Sequence, residues 1–312
     1  MQIPFDIDYV FPWVNDIDPV WQETYKNYCI SHKEGRRLDE LKKERYRDWG
    51  LLKYLLRGIA KCMPWIRKLH IIVSNKEQVP MWINQENVNI VLHEMIIPQD
   101  LLPTFNSTTI EMFLPLIPDL AEHFIYGNDD IFVLKPTQPT DWFDIDGTPR
   151  CNMRNLTFQS IMGQQFRVVC SEQWWLLQEK ITGKKDKSYY MRPQHGLTTM
   201  LKSECINAVA LIGPDEILES CTAFRQSYNM NQYLFVDYLY LMDKLKRSDV
   251  NFTYVGANKP RQLLETLARR SCDVICLNDC ANDLTKLQMA NLQVLCAKTF
   301  DKMFPDKCKY EK

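Results

Sequence analysis

Apolar and polar positions along the chain set out short strands and longer helices in turn. An apolar run at 5–11 predicts a first strand, which leads into the polar, acidic stretch Pro12-Trp13-Val14-Asn15-Asp16-Ile17-Asp18-Pro19. That stretch reads equally as a turn with an Asp-Pro signal or as part of a site at a sheet edge. Residues 36–62 read as mostly helical, with Leu51, Leu52, Leu55, Leu56 and Ile59 on one face at helical spacing and Asp48, Lys53 and Arg57 on the same helix. Runs at 69–73 and 88–92 predict two further strands. Between 102 and 132, Thr108 with Glu111 predicts a capping box, and Pro115 and Pro118 end or kink the helix. Phe124, Ile125 and Tyr126 then predict a buried strand, and Gly127 the tight turn presenting Asn128-Asp129-Asp130. An aromatic-rich helix is predicted over 229–246, with Tyr233, Phe235, Tyr238 and Tyr240 as core or interface. A strand over 273–279 ends in Asn278-Asp279, and an amphipathic helix is predicted over 284–303.

Strand, helix, strand at this spacing predicts βαβ units and an α/β fold with a largely parallel central sheet. Residues 136–192 differ in character. They carry Trp142, the pair Trp174-Trp175 and the lysines Lys184, Lys185 and Lys187, and their periodicity is poor. The expected division is a catalytic α/β domain formed by 1–135 with 193–312, and a helical or irregular insertion at 136–192 that serves as an acceptor-side lid. Gly183-Lys184 has no glycine five residues earlier and is not a phosphate-binding Walker loop.

Composition narrows the picture only a little. The 312 residues are 46% hydrophobic and 25% charged, with a formal net charge of -1, so the total gives no reason to expect a nucleic-acid partner. Arg36, Arg37, Lys42, Lys43, Arg45 and Arg47 concentrate locally, read as a solvated helix with paired charges or as a phosphate- or membrane-facing surface. Eleven scattered cysteines favour reduced thiols. Cys272, Cys276 and Cys280 lack a usual zinc spacing. No apolar run reaches transmembrane length, and no signal peptide is expected.

Two separate strands ending in Asn-Asp carry the clearest chemistry. Ligands of open α/β sheets gather at the carboxyl ends of strands. Two carboxylate sources there suit one divalent cation, and oxygen ligands with phosphate and water suit Mg²⁺. Asp130 and Asp279 are the candidate ligands, with Asp129 a third. His195, between proline and glycine in a loop before a predicted helix, is the candidate base. Arg225 and Arg57 are candidate phosphate clamps. Asn15, Asp16, Asn106, Asn128 and Asn278 are candidates for holding the substrate. Each has a structural alternative: Asn and Asp are ordinary turn residues, Arg57 could pair with Asp48, Asn106 could serve only its turn, and Asp279 could cap the next segment.

The chain resembles the Stealth family of sugar-phosphate transferases, which includes bacterial capsular and exopolysaccharide phosphotransferases. The resemblance rests on DYVFPWVNDIDP at the first strand, RYRDWGLLKYLLRGIAKCMPWIRKLHIIVSN from Arg45, LPTFNSTTIE, FIYGNDDIF, the stretch from His195 through Arg225, and ICLND with FPDKCKYE at the terminus. Departures are Phe11-Pro12 before Trp13, Asp16 at a usual glycine, Trp49-Gly50 after the second-block aspartate, and Asn229 where an acidic residue is usual. The resemblance implies a GT-A-like, Rossmann-type nucleotide-sugar fold. It implies transfer of a hexose- or N-acetylhexosamine-1-phosphate from a UDP-sugar to a glycan hydroxyl, releasing UMP, with Mg²⁺ or Mn²⁺. The expected acceptor is lipid-linked, and the expected location is cytoplasmic, peripheral to the inner face of the membrane. Two alternatives are an ordinary metal-dependent glycosyltransferase releasing UDP, and a non-catalytic carbohydrate-binding protein using Trp142, Trp174 and Trp175 as platforms.

Overall fold

The computed structural model describes residues 3–32, 45–162, 164–280 and 284–312. Arg36, Arg37, Lys42 and Lys43 of the basic run lie outside the described residues. Twelve strands are described: β1 Ile7–Pro12, β2 Leu69–Val73, β3 Val88–Leu92, β4 His123–Tyr126, β5 Ile131–Val133, β6 Arg150–Cys151, β7 Met153–Thr157, β8 Tyr189–Pro193, β9 Thr198–Leu201, β10 Lys246–Arg247, β11 Phe252–Gly256 and β12 Val274–Asn278.

The main sheet has the order β3-β2-β1-β4-β9, parallel except for the β4–β9 pair. Its strands are buried on both faces, which is why they read as continuous apolar runs rather than alternating ones. The chain moves outward from β1 to β2 and β3, then returns to place β4 on the other side of β1. That reversal leaves a crevice at the carboxyl ends of β1 and β4, the usual ligand position in open α/β sheets. A second sheet, β11-β12-β5, runs β5 antiparallel to β12, with Val274 opposite Val133 and Cys276 opposite Ile131. The expected α/β class with a largely parallel central sheet is the class observed.

At the amino end of the sheet, Asp8 is fully buried beside His70. It accepts from Arg67 Nη2 at 2.7 Å, His70 Nε2 at 2.9 Å and the Ala121 N–H at 2.8 Å. This charged knot ties β1, β2 and the approach to β4 together. Burial pushes the Asp8 carboxyl up, but Arg67 and His70 outweigh it and hold the group at about 2.

The helix predicted from residue 36 starts at Leu52 within the described residues and ends at Cys62. Gly50 has φ of 69°, a left-handed conformation that interrupts a helix, so Arg45 to Trp49 form a loop and Asp48 is not on the helix. The helix presses Leu55, Leu56 and Ile59 into the core. At Gly58 a Cβ would stand 2.9 Å from the Val133 carbonyl oxygen, so glycine lets the helix sit against β5.

Residues 136–192 are more regular than their periodicity implies. They contain β6, β7, β8 and an 18-residue helix, Gln165–Thr182. Trp174 and Trp175 on this helix are both 0% exposed and pack with Cys170, Tyr190 and Tyr233. A helix buried on several sides shows no amphipathic stripe. Trp142 is also buried, its Nε1 donating to Thr137 Oγ1 at 3.1 Å. The three tryptophans are core, which removes the platforms of the binding-protein alternative.

The helix predicted over 229–246 is shorter, Tyr233–Leu241. Asn229 and Asn231 side chains take the N–H groups of Gln226 and Tyr233, holding a turn before it, and Asp243 ends it with φ of 57°. His195 lies between β8 and β9, not directly before a helix, because the residues after it pair with β4. Among the described residues no helix is long and apolar enough to cross a membrane.

Candidate active site

A cavity of about 550 Å³ opens at the carboxyl ends of β1, β2, β3 and β4. Trp13, Ser74, His93 and the Asn128-Asp129-Asp130 turn reach it from those strands, and Asn278-Asp279 from β12. The Leu277 N–H donates to the Asp130 carbonyl at 2.8 Å. The two Asn-Asp pairs therefore run side by side at one sheet edge. Gly127 leads into the turn, but φ is not the reason for it. A Cβ there would meet Tyr9 Oη and Leu197 Cδ2, each at 2.6 Å.

The carboxyl groups here are held uphill. Burial, with Asp130 and Asp48 adding repulsion, pushes Asp129 up to about 8. Burial also raises Asp130, against the pull of His195 and a hydrogen bond from Cys276 Sγ to Asp130 Oδ2 at 3.3 Å. Asp130 Oδ1 is buried without a hydrogen-bond partner among the described residues. Asp279 Oδ2 accepts from Trp49 Nε1 at 3.0 Å and lies 3.3 Å from Arg47 Nε. A divalent cation with oxygen ligands fits this set, because it would offset clustered, half-buried carboxylates. Asp130, His195 and Cys276 also have ligand atoms within 4.8 Å of one another. Burial and Asp130 hold the Cys276 thiol well above its ordinary range, so it serves Asp130 as a donor rather than as a thiolate ligand.

His195 borders the cavity, with Nδ1 3.1 Å from Tyr233 Oη and Tyr254 edge-on to its ring. Burial lowers its pKa, with Arg192 and Arg225 adding to the effect and Asp130 opposing it. Arg225 Nη2 donates to Ser107 Oγ at 2.6 Å, and its guanidinium lies over the Phe166 ring. Asn128 and Asn278 line the same wall; Asn128 Oδ1 accepts from Tyr126 Oη at 3.2 Å.

Several expected contributors are placed elsewhere. Arg57 is outside the cavity. Its Nε and Nη2 grip Glu311 Oε1 and Oε2 at 2.7 and 2.8 Å, and Nη1 donates to the Phe304 and Pro305 carbonyls. It does not pair with Asp48, and it fastens the helix Leu52–Cys62 to the C-terminal tail. Breaking such a buried bidentate pair by Arg57→Ala is expected to cost about 3–5 kcal/mol of stability. Chemical denaturation checks this, and a loss under about 1 kcal/mol would sink the stapling role.

Asn106 is 1% exposed and fully committed. Its Oδ1 caps the Thr108 N–H at 3.1 Å, and its Nδ2 donates to Asn229 Oδ1 at 3.0 Å and to the Thr222 carbonyl. It holds a structural knot on the wall of the first cavity, and it is also the helix cap. The capping box expected of Thr108 and Glu111 does not form. Glu111 is buried, accepting the Gln232 N–H at 2.9 Å and the Tyr126 hydroxyl at 3.3 Å. Asn15 closes a local turn by accepting the Ile17 N–H, and Asp16 Oδ1 accepts the Asp48 N–H at 3.3 Å. Neither is among the residues lining the cavity, and Asp16 supports the loop 45–49.

That loop supplies site residues that strand ends and lone charges did not single out. Arg45, Tyr46, Arg47, Asp48 and Trp49 all line the cavity. The available signal was the Arg-Tyr-Arg-Asp-Trp string itself, two cations, an acid and two rings ahead of a glycine.

A second cavity, about 680 Å³, adjoins the first. Ser107, Asn128, His195, Arg225 and Asn278 belong to both walls. His195 and Arg225 thus stand between two chambers.

Known proteins match where these motifs lie. The family model described as Stealth protein CR2, conserved region 2, matches residues 45–151. The exopolysaccharide phosphotransferase cps2G of Lactiplantibacillus plantarum is 39% identical over 149 residues, 47% of this chain and 42% of that protein. The capsular polysaccharide phosphotransferase LcbA of Aeromonas hydrophila is 42% identical over 152 residues, 47% of this chain and 41% of that protein. Each match thus spans less than half the relative's length. A solved structure, galactosyltransferase LgtC in complex with donor and acceptor sugar analogues, is 12% identical with a TM-score of 0.44, covering 93% of this chain and 95% of that one. The chain thus carries a Stealth conserved region 2 at 45–151 and is similar to these phosphotransferases over less than half its length.

Proposed function

We propose that the chain transfers a hexose- or N-acetylhexosamine-1-phosphate from a UDP-sugar to a glycan hydroxyl, in synthesis of a capsular or other cell-surface polysaccharide. The observation that carries this reading is the pair of cavities meeting at His195 and Arg225. A transferase needs a donor chamber and an acceptor chamber with the reacting groups at their junction. The relatives named as phosphotransferases support the reaction class.

In this reading the donor diphosphate lies in the first cavity, beside Asp129, Asp130 and Asp279. These residues would hold Mg²⁺ or Mn²⁺, whose chemistry is to neutralise phosphate charge. The acceptor oxygen forms a bond to the β-phosphorus, and the bond from that phosphorus to the bridging oxygen breaks, so UMP leaves. His195 takes the acceptor proton, with its Nδ1–H donating to Tyr233 Oη so that Nε2 is the base. Arg225 steadies the charge on the transferring phosphoryl oxygens. Residues 136–192 form the acceptor side, and 1–135 with 193–312 the catalytic domain. A lipid-linked acceptor, with peripheral association at the inner face of the cytoplasmic membrane, suits the same reading.

The test is incubation of the purified protein with Mg²⁺, a panel of UDP-sugars and a glycan extract, and then nucleotide chromatography. Acceptor-dependent UMP is expected. UDP instead would move the chain to ordinary glycosyl transfer, and neither nucleotide with any donor would count against turnover.

A further inference from the structure

The two Asn-Asp turns present their carboxylates in the same way. Asp130 Oδ2 accepts from Cys276 Sγ at 3.3 Å, and Asp279 Oδ2 accepts from Trp49 Nε1 at 3.0 Å. Arg47 Nε lies 3.3 Å from the same Asp279 oxygen. On each aspartate, one oxygen is therefore held by a neighbouring donor. On Asp130 the other oxygen, Oδ1, is buried without a hydrogen-bond partner among the described residues. The donors come from separate elements. Cys276 is on β12, whereas Arg47 and Trp49 belong to the loop 45–49, which Asp16 braces through the Asp48 N–H. Trp49 packs against the main core and lines the first cavity, so its indole is fixed in place. An indole N–H can only donate, and it adds no charge to the site. Trp49 also stands at one of this chain's departures from the pattern it resembles.

A carboxylate with one oxygen fixed by a hydrogen bond offers a metal ion the other oxygen. Ligands of that kind suit Mg²⁺ or Mn²⁺, because a small octahedral ion keeps several waters and takes one oxygen from each carboxylate. Ca²⁺ is larger, takes roughly six to eight oxygens and gains from carboxylates that grip it with both. We propose that Trp49, Arg47 and Cys276 are selectivity residues of the metal site. By occupying Oδ2 of Asp279 and of Asp130, they restrict both carboxylates to one-oxygen coordination and set the site against Ca²⁺. They act through the aspartates and are positioning residues, not ligands. The inference deepens the metal assignment made above and rests on it.

Mn²⁺ binding to the full chain tests this, followed by loss of the free-ion electron paramagnetic resonance signal and competed with Mg²⁺ or Ca²⁺. Wild type is expected to bind Mg²⁺ at least about tenfold more tightly than Ca²⁺, within the usual reach of groups that orient metal ligands. The two competing ions carry the same charge. A variant that only loosens the fold or changes the local charge weakens both together and leaves their ratio alone. Trp49→Phe keeps a ring against the core and removes the N–H, and it should cut the ratio at least about threefold. Adding Arg47→Met should bring the loss to at least about tenfold. Cys276→Ala should also cut the ratio at least about threefold, whereas Cys276→Ser keeps a donor and should hold it within about twofold of wild type. Equal affinity of wild type for the two ions overturns the proposal. So does a ratio that stays at the wild-type value in Trp49→Phe/Arg47→Met and in Cys276→Ala. Mn²⁺ binding that survives Asp130→Asn/Asp279→Asn unchanged puts the ion elsewhere and overturns the metal assignment together with the selectivity. Acceptor-dependent UMP formed without any divalent ion would overturn the assignment alone, by a readout separate from the binding ratio.

Discussion

Asp130→Asn is expected to lower turnover by at least about 10³-fold and, in the absence of divalent metal, to make the protein more stable at pH 8. Both effects come from one cause. The Asp130 side chain is half-buried, its Oδ1 is buried without a hydrogen-bond partner among the described residues, and it repels Asp129. Its pKa in the folded state is raised above the unfolded value. The stability tied to such a group is complete below the unfolded value and is lost as pH rises through the folded one. Asparagine keeps the shape and removes the charge, and it relieves Asp129, which sits at about 8. The variant's advantage should therefore be small near pH 4 and widen through pH 8, reaching on the order of 2 kcal/mol. Added Mg²⁺ should raise the Tm of wild type but not of the variant. Thermal denaturation at several pH values, with and without Mg²⁺, measures this. A variant that is less stable than wild type at pH 8 without metal, or that turns over within tenfold of it, would refute the assignment.

His195→Ala should reduce kcat by about 10²–10⁴-fold, the usual worth of a general base. The pH profile carries more information than the size of the loss. Burial and the nearby arginines hold the imidazole below its ordinary pKa, so it remains neutral across the neutral range and protonates only at lower pH. The acid limb of kcat/KM should accordingly fall below the ordinary histidine value, with a level region above it. Tyr233 holds the ring at 3.1 Å from its hydroxyl. Tyr233→Phe should lower kcat by roughly tenfold with little change in donor affinity, because it frees the ring to turn and lose the productive tautomer. An acid limb unchanged in His195→Ala would assign the base elsewhere.

The contrast between Asp130 and Arg57 shows where residue patterns lead well and where they do not. Asp130 comes after a short apolar strand and a glycine, so its place at a strand end is a local matter. The same holds for Asp279 after the apolar run of β12. Arg57 is a cation on an amphipathic helix, and the pattern cannot tell which way it reaches. Its partner Glu311 is 254 positions away. Glu111 shows the same difficulty on a shorter scale: its spacing from Thr108 suits a local cap, but the Gln232 N–H, 121 positions on, takes the carboxylate instead.

The sequence by itself determined the strands of the parallel sheet, the two Asn-Asp turns at their ends and the candidacy of His195 and Arg225. The strands and turns depend on apolar runs and turn residues within a few positions of one another. The tertiary structure alone decided that Arg57 is structural, that Trp174 and Trp175 are core, and that Arg154 faces Arg192 across a ribbon. Each of those outcomes is a pairing between residues far apart in the chain. Side-chain partners at such separations are chosen by how whole elements pack, and no local pattern carries that choice.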